Sequence, residues 1–368
     1  ALQEINVQKF IRQVQASVEQ EEKKEKILLI PSGSTLLNCA CSGEPYGAYK
    51  AGTIVTLPGA SASGKTMLLF TMFAEMCASK KFDDYTFIYD DAEEALSINI
   101  SKLFGNKTEE RIESPSLETI EGDSIYSQTI QDFQNNILLQ IKKGKSFVYA
   151  LDSLDALSSD EEMEREYKKA ILSIKNPEQL KELKGSYNTE KAKIIGQCLR
   201  MIRGKLKNTK SLLIIVQQER ANIGGGMFQK ETITSGGKAP FYYSSHQVWM
   251  KRIKSLKKNE KKIGNRVKAM VTKNKLTGKE RSAEFDIYDD YGVDDIGSQI
   301  DFLLQEGNWE KHGIKIETAG LGLPFGTRAE IISQIEKREM QKELKRITGE
   351  AWAQIESQLK LNRKAKYE

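Results

Sequence analysis

Gly59, Ala60, Ser61, Ala62, Ser63, Gly64, Lys65 and Thr66 spell a complete G-x-x-x-x-G-K-[ST] run. Backbone N–H groups of such a loop, added to a helix N-terminus, make a concave cradle for phosphate oxygens. Lys65 is placed to reach the β- and γ-phosphates of a nucleoside triphosphate, and Thr66 to put its hydroxyl on Mg²⁺. The flanks carry as much weight as the motif. Thr53–Leu57 reads as a short buried strand, and Met67–Cys77 has the length and composition of a helix. That strand–loop–helix setting separates a phosphate-binding loop from a glycine-rich turn with an incidental lysine.

Hydrolysis also needs a carboxylate for the metal and a group to polarise water. Asp152 closes the apolar run FVYAL, where a metal-directed aspartate belongs, and Asp155 is a weaker contender just past the strand end. A second acidic run, Asp90-Asp91-Ala92-Glu93-Glu94, follows the apolar run YTFIY. A carboxylate there is well placed as a general base, because ligands bind at the carboxyl ends of strands in α/β sheets. Helix capping by Asp90 or Asp91 is the structural alternative, and different members can serve each purpose. The run LLIIV leads into Gln217 and Gln218, whose amides could sense a γ-phosphate.

These residues need a sheet to bring them together. Tyr85–Tyr89, Phe147–Leu151 and Leu212–Gln217 read as further buried strands, alternating with helical stretches within Glu118–Lys142 and over Ala192–Leu206. That alternation predicts an α/β fold with a mostly parallel central sheet covered by helices. Val267–Lys273 and Ala283–Tyr288 flank Thr277-Gly278-Lys279 and predict an antiparallel edge hairpin. Pro31–Gly52 reads as loop-rich, Asp160–Tyr187 as a charged irregular excursion, and Ala329–Lys366 as helical. Residues 1–27 begin with an amphipathic pattern (Val7, Phe10, Ile11, Val14, Val18) too sparse in apolar residues to form its own core, so this arm must dock elsewhere.

Composition narrows the function classes. No stretch approaches the ~20 apolar residues needed to cross a bilayer. The polar N-terminus has no apolar signal core, so a cytoplasmic protein without membrane attachment is expected. Cys39, Cys41, Cys77 and Cys198 form no C-x-x-C pair and have only His246 and His312 for company, which argues for reduced, mostly buried thiols rather than a zinc site. The net charge of +5 is lopsided: Arg200–Ser282 holds 21 Lys/Arg against four Glu, a net +17. So basic a segment in an otherwise acidic chain is the footprint of a polyanion-binding surface.

Four blocks in order, GASASGKT, DDAEEAL, ALDSLDAL and LLIIVQQERANIGGGMFQKETITSGGKAPFYY, resemble the RecA-type homologous recombinases over about residues 30–311. A fifth, RVKAMVTKNKLTG with AEFDIYDDYGV, is similar to the strand pair that faces the neighbouring subunit in that family, and the divergence is most like phage-encoded recombinases of the UvsX sort. The resemblance implies a RecA-like ATPase using ATP and Mg²⁺. It implies a helical filament of identical copies on single-stranded DNA, pairing with double-stranded DNA, and a single-strand-binding or mediator partner. Residues 1–30 would be the oligomerisation arm, 31–311 the core and 312–368 a small helical C-terminal region. By position, Glu93 matches the water-activating glutamate, Asp152 the metal aspartate, and Gln218 the glutamine linking γ-phosphate to the second DNA loop. Lys273 and Lys275 match lysines that reach the ATP of the adjacent protomer; their i, i+2 spacing puts both on one strand face. DNA contacts would come from Lys193 and Arg200, two helical turns apart, from Arg220, and from Gly224, Gly225, Gly226, Met227, Phe228, Gly236 and Gly237. The family's stacking tyrosine falls on Ile100 and an aspartate near the base on Ser97, implying altered base recognition. Other occupations of the same fold are a ring-forming helicase and a DNA-coating or annealing protein with a weak regulatory ATPase.

Overall fold

The computed structural model describes residues 27–116, 119–120, 123–175, 187–221 and 232–363. The amphipathic arm, through residue 26, lies outside them. Four apolar runs form parallel strands: β1 (Thr53–Gly59), β2 (Thr86–Asp91), β4 (Phe147–Asp152) and β5 (Leu212–Ala221), with the short β3 (Ile112–Glu113) beyond β2. The other edge is β7 (His246–Lys258), parallel to β1, followed by antiparallel β8 (Lys261–Asn274), β9 (Ser282–Tyr288) and β10 (Gly292–Asp294). The order of the ten-stranded sheet is β10-β9-β8-β7-β1-β5-β4-β2-β3, with β6 (Thr232–Thr234) paired to β5.

The sheet is covered on both faces, which is why its central strands read as continuous apolar runs rather than alternating ones. Val148 and Ala150 face a layer that includes Phe70, Phe73 and Met76 of helix α2 (Lys65–Cys77). Phe147, Tyr149 and Leu151 face the other layer, built from α3 (Ile130–Lys142) and α5 (Tyr187–Asn208). All four cysteines are buried free thiols. Among the described residues no helix is long and apolar enough to cross a membrane.

Three local expectations are corrected. The stretch read as loop contains α1 (Thr35–Ser42), started by the Ser34 hydroxyl accepting from Leu37 N–H and ended at Gly43. The charged stretch read as irregular contains α4 (Asp160–Lys175). Its first turn is acidic and Ser159 accepts from Glu162 N–H, while Glu164–Lys168 and Glu166–Lys169 pair along its surface. Caps and charge order thus add to a helical apolar period, Met163, Tyr167 and Ile171, that lies exposed within the charged run. The third is β7, absent from the sequence reading because its second half, KRIKSLKK, has no apolar alternation.

Beyond β10 comes α7 (Asp295–Gln305), a small hairpin of β11 (Glu310–His312) and β12 (Lys315–Glu317), then α8 (Arg328–Lys337) and α9 (Gln341–Gln358). Ile300, Leu303, Trp309, Ile331, Ile335 and Leu344 form a third apolar cluster there. Helix α9 is tied to the core by an ion pair between Lys345 and Glu75, the latter on α2, ten residues after the lysine of the phosphate loop. Burial pushes the Glu75 carboxyl up, and the adjacent Lys345 ammonium opposes that. Lys345→Ala leaves the carboxylate largely buried without its partner. We expect a loss of about 2 kcal/mol of stability, below the value for a fully buried pair because both groups keep some solvent. Denaturant titration checks this; a loss under about 0.5 kcal/mol would show that water replaces the lysine freely.

Candidate nucleotide site and DNA-facing surface

Strand β1 delivers the loop Gly59–Thr66 to the carboxyl edge of the parallel strands, where Gly59 lies beside Gln218 and Asp91 beside Asp152. Gly64 has φ +89°, and a Cβ there would sit 2.4 Å from Ile287 Cδ1. The positive φ requires glycine, and the missing Cβ lets the loop lie against the Ile287 side chain of β9. Ala60, Ser61 and Ala62 are exposed on the loop's outer side, while Ser63 and Lys65 are buried. Lys65 Nζ donates to the carbonyls of Gly59 (2.8 Å) and Ala60 (2.7 Å). Burial lowers its pKa, against the attraction of Asp152 and Glu93.

Thr66 Oγ1 donates to Asp152 Oδ2 at 2.7 Å, and Tyr89 Oη donates to the same oxygen at 3.0 Å. Burial raises the Asp152 pKa, while these two hydrogen bonds hold it down. A hydroxyl and a carboxylate side by side at the head of a glycine cradle form an all-oxygen donor set. That set fits a hydrated Mg²⁺ better than a thiophilic ion. A cavity of about 340 Å³ opens from the loop toward β8 and β9.

The acidic run divides its labour. Asp90 is fully buried and accepts from Ser127 N–H (2.9 Å), Ser127 Oγ (2.6 Å) and Tyr149 Oη (2.6 Å), so it is structural. Asp91 accepts from Leu96 N–H at 2.9 Å and shapes the turn, although no helix starts there; the next begins at Ile100, capped by Asn99. Glu93 alone reaches toward the site. Its Oε1 accepts from Ser153 Oγ at 2.5 Å and from Gln218 Nε2 at 2.8 Å. Asp155 faces elsewhere: it accepts from Gln218 N–H at 2.7 Å and pairs with Arg220. Ser153 and Tyr89, which hold Glu93 and Asp152, carried no sequence signal of their own.

Gln218 and its neighbour Gln217 part company at the strand end. Gln218 contacts Glu93, whereas Gln217, buried, donates to the Ser235 carbonyl at 2.8 Å. Strand β5 then continues to Ala221, and β6 returns antiparallel to it, Thr234 opposite Glu219. Residues 222–231, including Gly224, Gly225, Gly226, Met227 and Phe228, lie outside the described residues. The returning chain is wedged at Gly236, φ +82°, where a Cβ would come within 2.8 Å of Leu154 and 3.2 Å of Ile195. Gly237 follows in the same turn beside Ala192. Lys193 and Arg200 are both exposed on α5, and Arg200 Nε donates to Tyr243 Oη at 3.2 Å.

Lys273 lies at the end of β8, opposite Gln247 and level with Thr56, back along β1 from the phosphate loop, while Lys275 falls in the turn just past the strand and not on its face as the spacing predicted. They do not line the loop's cavity. Instead Lys273 donates to the carbonyls of Phe241 and Tyr242, and Lys275 to that of Tyr242 at 3.1 Å, over helix α6 (Ala239–Tyr243). Burial and the neighbouring Lys275 hold the Lys273 pKa down at about 8. The large positive excess has a definite address as well. Strand β7 leaves β1 at Met250, and the hairpin beyond it exposes Lys251, Arg252, Lys254, Lys257, Lys258, Lys261 and Lys262 against one acid, Glu260.

His246 starts β7 fully buried, edge-on to Tyr49 with Nδ1 3.1 Å from Ser245 Oγ. Burial lowers its pKa from 6.5 to about 4. An unfolded chain takes up this proton below about pH 6.5 and the folded chain only near 4, so stability falls as pH drops through that window. Between about pH 7 and 4.5 the protein should lose roughly 2.5 kcal/mol more than His246→Gln does. Denaturant curves at the two pH values check it; parallel losses would assign the acid sensitivity to carboxylates instead.

Sheet, loop and carboxylates together define a P-loop nucleoside triphosphatase with a doubly covered, mostly parallel sheet. Residues 1–294 match the RecA N-terminal domain family. The chain belongs to that family. It is similar to Protein RecA of Wolinella succinogenes, 29% identical over 301 residues that span 80% of this chain and 76% of the relative. Protein RecA of Nitratiruptor sp. is 30% identical over 295 residues, spanning 78% and 76%. Protein RecA of Geobacter sulfurreducens is 27% identical over 325 residues, spanning 86% of both chains.

Proposed function

We infer that the chain is a DNA-dependent ATPase of RecA type that assembles on single-stranded DNA and carries out homologous pairing and strand exchange. The observation that carries this reading is the 2.8 Å contact between Glu93 and Gln218. Gln218 sits on the strand that runs into residues 222–231 and is answered by β6. A change at the γ-phosphate end of the site therefore pulls on the segment that the DNA-binding reading assigns to the polynucleotide.

In this reading the loop amides and Lys65 bind the triphosphate, and Glu93, held by Ser153 and Gln218, accepts the proton of the attacking water. Thr66 and Asp152 would hold Mg²⁺, which when bound neutralises charge on the phosphate oxygens. Lys273 and Lys275 complete the site of the next copy, because their own fold turns them away from their own loop. An interface of that head-to-tail kind grows a filament rather than closing a dimer. Lys193, Arg200, Arg220, the glycine-rich segment and the cationic hairpin supply phosphate contacts whose strength falls with salt.

Joint-molecule formation between circular single strands and homologous linear duplex, with ATP, tests the function. Recombinase activity predicts joint molecules that depend on homology. Filaments that hydrolyse ATP yet yield none would leave a coating or annealing protein, and closed rings in electron micrographs would leave a motor.

A further inference from the structure

Tyr89 stands beside the metal-directed carboxylate although it belongs to none of the chain's motifs. It lies on β2, where it pairs with Ala150 of β4, and Asp91 pairs with Asp152. Residues two apart on a strand share a face, so Tyr89 and Asp152 point to the same side of the sheet. The Tyr89 ring is 4% exposed and packs on Phe70 of α2, with centroids 4.8 Å apart. Phenylalanine would serve that packing equally well, as Phe70, Phe73 and Phe87 do around it. A buried hydroxyl needs a partner, and the Tyr89 Oη donates to Asp152 Oδ2 at 3.0 Å.

The choice of oxygen carries the inference. Thr66 Oγ1 donates to the same Oδ2, at 2.7 Å. A carboxylate oxygen has two lone-pair sites, so these two donors fill Oδ2 and leave Oδ1 as the oxygen on offer to a cation or its water. Both donors are anchored, Thr66 in the first turn of α2 and Tyr89 in the core. The plane of the Asp152 carboxylate is therefore set by the protein alone.

We propose that Tyr89 is a positioning residue that sets the cation preference of the site. By occupying Oδ2 it restricts Asp152 to contact through one oxygen and disfavours cations that take a carboxylate by both. The proposal rests on the reading of Gly59–Thr66 and Asp152 as a triphosphate and metal site. Mg²⁺ is small and keeps several of its waters, so one carboxylate oxygen is enough for it. Ca²⁺ takes about six to eight oxygens in flexible geometry and readily uses both oxygens of one carboxylate. Without the Tyr89 hydroxyl, Oδ2 keeps only the Thr66 donor and has a lone pair to spare. Ca²⁺ then gains more than Mg²⁺.

Cation binding, read without turnover, tests this. The full chain is held in excess over adenosine 5′-(β,γ-imido)triphosphate, and Mn²⁺ is the probe, its free form read by electron paramagnetic resonance. Mg²⁺ and Ca²⁺ are titrated in as competitors. Tyr89→Phe keeps the ring against Phe70 and should move the ratio of Ca²⁺ to Mg²⁺ affinity toward Ca²⁺ by about fivefold, the worth of one hydrogen bond. Tyr149→Phe is the control, because it removes a buried hydroxyl that donates to Asp90 instead, and it should leave the ratio at the wild-type value. An unchanged ratio in Tyr89→Phe, or the same shift in Tyr149→Phe, would reduce Tyr89 to core packing and overturn the proposal. A wild type that binds no Mn²⁺ with the nucleotide present is a different result, since it refutes the metal-site reading on which the proposal stands.

Discussion

Glu93→Gln should bind ATP with nearly wild-type affinity and hydrolyse it at least about 10²-fold more slowly, the usual loss when a general base is removed. Glutamine preserves the length and one carbonyl oxygen, so the Ser153 hydroxyl and the Gln218 amide still find their acceptor. What disappears is the ability to take a proton from water. Phosphate release with and without single-stranded DNA, beside equilibrium nucleotide binding, separates the two effects. Turnover within about threefold of wild type would remove Glu93 from the chemistry and return attention to Asp152. The variant should also hold filaments on DNA longer, because the state before hydrolysis persists.

The double substitution Lys273→Ala, Lys275→Ala should abolish DNA-stimulated turnover while leaving nucleotide binding to the isolated chain intact. Cations supplied in trans to a transferring phosphoryl group are worth about 10³–10⁵ in rate. Here both ammonium groups rest on carbonyls of α6, and Lys273 is level with Thr56, behind its own phosphate loop. A mixing experiment makes the geometry decisive. Protomers carrying the double substitution have intact phosphate loops, and Lys65→Ala protomers have intact Lys273 and Lys275. Mixed filaments should recover part of the activity at junctions where the two intact halves meet. Activity that never exceeds the sum of the separate variants would mean that the lysines act within their own chain, or only hold α6 in place.

The same residues show where sequence reading stops. Gly59–Thr66 was legible because every requirement of a phosphate loop is met within eight consecutive residues and its immediate flanks. The buried parallel strands were legible too, since burial on both faces writes itself as short apolar runs. The acidic run after β2 was not resolvable in detail. Asp90, Asp91 and Glu93 are chemically alike, and their roles differ only through partners such as Ser127 and Gln218, 37 and 125 residues away. Helix α4 escaped because its apolar period, Met163, Tyr167 and Ile171, is embedded in a densely charged and exposed run, and β7 because sheet pairing rather than apolar alternation holds its second half in place.

By itself the sequence determined that this chain carries a phosphate cradle on a parallel α/β sheet, the order of its family motifs, and a basic excess within Arg200–Ser282. These are local or additive properties, readable residue by residue. Only the tertiary structure decided that Thr66 meets Asp152, that Glu93 meets Gln218 and that Lys273 and Lys275 turn away from their own loop. It also gathered much of the positive charge onto one hairpin, beyond the point where β7 leaves β1. The physical reason is strand register. Which side chains share an edge or a face is set by the pairing of strands distant in sequence, and a shift of one residue would send each of them to the other side.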